Sequence, residues 1–279
     1  MRRILLFVAA ALVAGQALAG PWLTSVDAAQ KKAKATHQLI FVDLWAEWCG
    51  WCHRFEQEVV PSQAFQNATD DMVLLRLNTE DGKDGTKLAR DYGVRSLPTF
   101  VVLNEDMLIA GQIRGYAPAN DFARMIGEAR TKYVDFQKRS NSEASYAKDY
   151  LKRLELAREF RERMGHAEAE ARLRKLLEEK ALPVPIRDDA YYELAFVQFL
   201  NKKYDEALKT LKKFSTVQSK GDAYERSRLL SGDIYLSQGN LLSAATEYRN
   251  FKATFPKSQY VRNVEMVLPQ VERQLATKK

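Results

Sequence analysis

Leu39-Ile40-Phe41-Val42-Asp43-Leu44-Trp45-Ala46-Glu47-Trp48-Cys49-Gly50-Trp51-Cys52-His53 decides the reading of this chain. Leu39–Val42 is an apolar run that predicts a buried strand. Arg54-Phe55-Glu56-Gln57-Glu58-Val59-Val60 behind it has the character of a helix. Cys49 is therefore expected where a strand ends and a helix begins. Orphan backbone N–H groups and the helix dipole favour negative charge there. A thiol so placed ionises more readily than a free one, whose pKa is about 8.5. Cys49 is the expected nucleophile. Cys52, one turn on, is placed to resolve a mixed disulfide.

The chain has 2 cysteines and 3 histidines, His37, His53 and His166. Structural zinc needs four ligands, and no second ligand pair stands at zinc spacing. Cys49 to His53 also spells C-x-x-C-H, the signature of covalent haem attachment. A haem would need His53 as axial ligand within a small helical domain. Here the motif follows a strand in a region that alternates between strand and helix. Neither a metal nor an organic cofactor is expected, since a dithiol carries two electrons by itself.

The stretch resembles thioredoxin, through Phe41 to Gly50 and the second cysteine, Cys52. Arg76-Leu77-Asn78 resembles the end of that family's next strand. Tyr92-Gly93-Val94-Arg95-Ser96-Leu97-Pro98-Thr99-Phe100 resembles the segment bearing its cis-proline, and Gly115 the glycine before its last helix. The resemblance covers roughly residues 22–133. It implies a thioredoxin fold and thiol:disulfide oxidoreductase activity on protein thiols or disulfides. It also implies that Asp43 shuttles the proton of Cys52, and that Gly50, Trp51, Leu97 and Pro98 shape the substrate site. Read from the residues alone, Asp43 is a carboxylate whose burial raises its pKa, or one satisfied by Arg76. Pro98 by itself also fits a trans proline at a strand start. Trp48 is expected to pack, Trp51 to be exposed, and His53 to be a surface histidine. The sequence has Gly50-Trp51 where thioredoxin has Gly-Pro, and His53 and Arg76 where it has lysines. These departures bear on redox potential and direction; a reductase or isomerase is expected over an oxidase.

Outward from this core, Met1–Ala19 reads as a secretory signal peptide. Arg2 and Arg3 precede the apolar Ile4–Val13, and Ala17-Leu18-Ala19 precedes cleavage before Gly20. A periplasmic or secreted location follows as an expectation. No later stretch is long and apolar enough to span a membrane.

Helices are expected at 25–36 (capped by Ser25 or Asp27), 50–60, 82–92 and 119–133, with Pro61 breaking the second. Strands are expected at 38–45, 72–78, 99–103 and 108–114. The domain is assigned to 20–135, and the polar residues 136–149 to a linker, with a partly helical course as the alternative.

From about Ala147 the chain turns helical and repetitive. Leu154-Glu155-Leu156-Ala157 recurs as Tyr192-Glu193-Leu194-Ala195, Ala169 as Ala207, and then Ala195 as Gly232 and Ala207 as Ala244. A period of 37–38 fits stacked helical hairpins. Residues 150–279 resemble tetratricopeptide repeats, clearly at 188–257 and more weakly at 150–180. That resemblance implies binding of a protein partner. The aromatics Tyr191, Tyr192, Phe196, Phe199, Tyr235, Tyr248 and Phe251 stand at helical spacing and are expected mostly in the core. Net charge is +7. Residues 20–145 hold 15 Lys+Arg against 17 Asp+Glu, and residues 146–279 hold 26 against 19. The basic residues of the second half interleave with acids, which reads as a solvated helix surface rather than a nucleic-acid footprint. The fold class is thus an α/β thioredoxin fold followed by an all-α helical-hairpin domain. A protein-disulfide oxidoreductase served by a membrane or soluble redox partner is the expected activity. A chaperone or scaffold with a regulatory redox site is the alternative.

Overall fold

The computed structural model describes residues 21–215 and 222–277. The signal-peptide assignment lies outside the described residues. The chain divides into two compact units, with the boundary between Tyr133 and Val134.

The first unit contains α1 (Val26–Thr36), β1 (Ile40–Trp45), α2 (Gly50–Glu58), α3 (Gln63–Thr69), β2 (Val73–Asn78), α4 (Asp84–Asp91), β3 (Thr99–Leu103) and β4 (Ile109–Arg114). The first part of α5 (Ala119–Asn141) completes it. The sheet order is β2-β1-β3-β4, with β1 parallel to β2, antiparallel to β3, and β3 antiparallel to β4. Side chains alternate across a strand, so β1 divides its residues between two cores. Ile40, Val42 and Leu44 join Val73, Leu75, Leu77, Val101 and Leu103 with Ala29 and Ala33 of α1 and Leu88 of α4. On the other face Phe41 meets Phe65, Phe100 and Phe122 at ring distances of 5.4, 5.7 and 6.0 Å. Phe55 of α2 closes this aromatic core, 4.3 Å from Phe100 and 4.8 Å from Phe122. That contact anchors α2 to the sheet.

Local signals set the helix starts. The Ser25 hydroxyl accepts from the Ala28 N–H, and Ser62 from the Phe65 N–H. Helix α3, beyond the break at Pro61, is absent from the sequence reading, because seven residues are too few for a helical period to show. Its buried residues are Phe65 and Thr69.

Of the two courses open to residues 136–149, the structure shows the partly helical one. Helix α5 continues through Asn141, and a 3-10 turn covers Glu143–Tyr146. Phe136 supplies the anchor that the polar composition hid. It is buried, 4.9 Å from the Phe160 ring, with the Arg163 guanidinium 4.4 Å away.

The second unit contains α6 (Tyr150–Glu162), α7 (His166–Leu177), α8 (Val184–Leu200), α9 (Tyr204–Ser215), α10 (Asp222–Ser237), α11 (Leu241–Thr254) and α12 (Val261–Thr277). The turns inside the hairpins repeat faithfully. Met164, Lys202 and Gly239 take positive φ of 68°, 59° and 73°. The next N–H in each turn, from Gly165, Lys203 and Asn240, donates to Phe160, Gln198 and Tyr235 carbonyls at 2.8, 2.8 and 2.9 Å. This is the closure of a helix by a left-handed residue. The hairpin at 150–177, the weaker match by sequence, has the same turn.

Small residues recur where the paired helices meet. Ala157, Ala195, Ala169, Ala207 and Ala244 are fully buried. Gly232 takes the place of Ala157 and Ala195 because Tyr248 packs there: a Cβ would stand 2.6 Å from its Cε1. Of the aromatics expected in the core, Tyr248 and Phe251 are buried, while Tyr191, Tyr192, Phe196, Phe199 and Tyr235 are half-buried. Gly232→Val should lower the stability of the helical unit by about 1–3 kcal/mol, the usual cost of overpacking. Urea unfolding followed by helical circular dichroism would read this; an unchanged midpoint would show that Tyr248 yields freely.

Candidate functional site

The chain leaves β1 at Trp45 and turns through Ala46–Trp48, where the Cys49 N–H donates to the Ala46 carbonyl at 3.0 Å. Cys49 is the N-cap of α2, and its Sγ accepts from the Cys52 N–H at 3.2 Å. Cys49 and Cys52 are joined as a disulfide, and both are buried. They cluster with Ala46, against which Trp45 and Leu97 pack. Leu97–Pro98 is a cis peptide bond, and Pro98 is buried. The Gly115 N–H donates to the Pro98 carbonyl at 2.9 Å, tying the loop after β4 to this segment.

Two tryptophans flank the disulfide in sequence, and both are exposed. Trp51 is 54% exposed, as expected. Trp48 is 69% exposed, which corrects its assignment to packing. It stands in the turn between β1 and α2, outside both cores, and its indole N–H donates to the Glu80 carboxylate at 2.7 Å. Gly50 is exposed, with nothing within 4 Å of where a Cβ would stand.

Sequence reasoning stopped at Gly115 and missed Tyr116. The Tyr116 ring lies 5.4 Å from Trp51, and the Arg54 guanidinium lies 5.4 and 5.1 Å from the two rings. Both the Tyr116 hydroxyl and the Arg54 Nε–H donate to Glu58. Gly115 takes a φ of 83° just before Tyr116, and no local pattern in the sequence points from Tyr116 to Trp51. His53 places Nε2 2.8 Å from the Glu47 carbonyl, and its ring is edge-on to Trp45. That nitrogen is engaged with the backbone of the same turn.

Asp43 lies inside the sheet at 1% exposure. It is paired in register with Arg76 of β2 and Phe100 of β3. Arg76 Nε stands 3.3 Å from Asp43 Oδ2. The same guanidinium donates through Nη1 and Nη2 to the two oxygens of Glu56 on α2, at 2.5 and 2.8 Å. Asp43 is thus linked through Arg76 to the helix that carries Cys52. Burial pushes its carboxyl up to about 7; Arg76 opposes this, and the Glu56 charge adds to it. Glu56 is held below the usual carboxylate range, foremost by its hydrogen bonds from Arg76. The arrangement combines a two-electron sulfur pair at a helix N-terminus with a buried carboxyl able to exchange a proton near neutrality.

Comparison with known proteins agrees with this geometry. A thioredoxin-like domain family matches residues 26–130, and a tetratricopeptide repeat-like domain family matches residues 119–273. A putative thioredoxin 2 of Streptomyces coelicolor is 31% identical over 99 residues, covering 36% of this chain and 69% of that protein. Thioredoxin 1 of Synechococcus elongatus is 35% identical over 87 residues, covering 31% of this chain and 76% of that protein. A thiol:disulfide interchange protein DsbD of Actinobacillus pleuropneumoniae is 28% identical over 103 residues. That match covers 36% of this chain but only 18% of the interchange protein.

The Asp43 carboxyl has a measurable consequence. An unfolded aspartate titrates near 3.9. Between about pH 4 and pH 7 the folded chain retains a proton that the unfolded chain has released, so this group's contribution makes stability fall as pH rises through that window. Asp43→Asn should remove the effect. Its stability relative to the parent should rise between pH 4 and 8 by roughly 2–4 kcal/mol, since each pH unit between the unfolded and folded midpoints is worth about 1.4 kcal/mol. Urea titrations across pH would test this; a difference constant with pH would contradict the buried-acid assignment.

Proposed function

The chain belongs to the thioredoxin-like family through its first unit and to the tetratricopeptide repeat-like family through its second, and from this we propose an exported protein-disulfide reductase or isomerase. The observation that carries the reading is the Cys49–Cys52 pair at the N-terminus of α2, the helix linked through Arg76 to the buried Asp43. In the reducing direction the Cys49 thiolate attacks a substrate disulfide. The S–S bond breaks, one substrate sulfur leaves as thiolate, and Cys49 holds the other in a mixed disulfide. Cys52 gives its proton to the Asp43 carboxylate and attacks the Cys49 sulfur. The second substrate thiolate leaves, the Cys49–Cys52 disulfide forms, and two electrons have passed to the substrate. A partner dithiol then returns the enzyme to its reduced form. No metal or organic cofactor enters this sequence.

Gly50, Trp51, Leu97 and Pro98 are proposed to contact the substrate. The exposed Trp51 ring offers an apolar surface, and the open space at Gly50 gives room for a chain beside Cys49. The preference for reduction or isomerisation rests on the relatives named as thioredoxins. Export rests on the Met1–Ala19 pattern and implies a periplasmic or secreted protein.

The helical unit is proposed to hold a protein partner. The excess of basic residues over 146–279 contrasts with the slight acidic excess over 20–145. A client held there is kept at high effective concentration near Cys49 without any change in the thiol chemistry.

The two cysteines should behave differently. Cys52→Ala should accumulate mixed disulfides through Cys49 several-fold over the parent, because the resolving sulfur is gone. Cys49→Ala should accumulate few. Non-reducing electrophoresis of cells quenched with acid would read both; stronger trapping by Cys49→Ala would reverse the roles.

A further inference from the structure

Arg76 stands between two carboxylates of very different exposure. Asp43 is buried, whereas the Glu56 side chain is 46% exposed. A guanidinium binds a carboxylate best through two parallel N–H bonds. Here both terminal nitrogens go to Glu56. Asp43 Oδ2 is left with Nε at 3.3 Å, outside hydrogen-bond geometry, and Asp43 Oδ1 and Arg76 Nε are both buried without a hydrogen-bond partner. The guanidinium is also 4.6 Å from the Trp45 ring centroid, a second anchor that does not depend on Glu56.

We infer that Glu56 is a positioning residue for the proton step: by occupying both terminal nitrogens of Arg76 it withholds them from Asp43, and so sets the pH at which Asp43 takes the Cys52 proton. This deepens the proposed function and rests on it. In that step the Cys52 S–H bond breaks, an O–H bond forms on Asp43, and the electron pair left on sulfur attacks the Cys49 sulfur. An Asp43 carboxylate with a bidentate arginine would be stabilised as the anion and would be a poor base near neutrality. With Glu56 holding the arginine, one cation is matched by one exposed anion. The proton on Asp43 then avoids a second, uncompensated charge in the sheet.

The other groups around Asp43 leave this assignment to Glu56. From β2 the charged neighbour is Arg76, and β3 places Phe100 opposite Asp43. From α2 comes Glu56, with His53 acting on Glu56.

The test uses the full chain and two readouts. The first is the titration of Asp43, followed by carbon-13 NMR of its carboxyl in the oxidised protein, independently of turnover. The second is the pH profile of reduction of a small disulfide. Glu56→Gln should move the Asp43 midpoint down by about one pH unit, because Arg76 is freed to pair with Asp43. The acid limb of the rate profile should follow. Glu56→Asp, which keeps the charge, should recover much of the parent midpoint. Asp43→Asn should abolish that limb with or without Glu56. Glu128→Gln controls for loss of one negative charge, since Glu128 is paired with Arg124 on α5. A midpoint that stays or rises in Glu56→Gln, or falls equally in Glu128→Gln, overturns the inference while leaving the thiol chemistry in place. A rate profile indifferent to Asp43→Asn removes the proton role itself, and the inference with it.

Discussion

The burial of β1 on both faces is the constraint from which the site follows. A strand covered on one side alternates apolar and polar residues, whereas β1 has to satisfy two cores. Ile40, Val42 and Leu44 meet aliphatic partners, and Phe41 meets a cluster of phenylalanines. Asp43 is the exception on the aromatic face. A carboxyl there has lost its water and is offered one incomplete interaction with Arg76. Protonation near neutrality is the consequence of that placement.

The same packing places the sulfurs. Phe55 fixes α2 over the sheet through Phe100 and Phe122, and the short turn after Trp45 leaves Cys49 at the helix N-terminus. Orphan N–H groups there favour a thiolate. Asp43 and Cys49 are thus positioned by one strand–turn–helix unit. The exposed Trp51 and Arg54 and the half-buried Tyr116 form a rim held by contacts among its own members and Glu58. The sulfurs themselves rest in a buried cluster with Ala46.

The second unit solves a different problem by repetition. Each hairpin closes through the same left-handed turn, at Met164, Lys202 and Gly239. Only one of the three is glycine, so the turn is kept by backbone hydrogen bonding and packing rather than by residue identity. The small residues facing across each pair are better preserved, because close approach of two helices limits side-chain volume directly.

Much of this was legible in the sequence. The apolar run before Cys49, the cysteine spacing and the period of 37–38 reflect local propensity or covalent spacing, which are written residue by residue; the cis bond before Pro98 was implied only by the resemblance to thioredoxin, since Pro98 by itself also fits a trans bond. The placement of Cys49 as a helix cap, the cis bond before Pro98 and the exposure of Trp51 agree with that reading. Helix α3, the continuation of α5 through Asn141, the exposure of Trp48 and the approach of Tyr116 to Trp51 were not legible. Each depends on what a distant segment packs against. Phe136 makes a helix of an apparently polar linker because Phe160 and Arg163 are beside it. The division of Arg76 between Asp43 and Glu56 is the sharpest case. The sequence determined that these charged groups exist and that a strand and a helix carry them. Only the tertiary structure decided which carboxylate receives the arginine, because hydrogen-bond geometry and desolvation are properties of the assembled site.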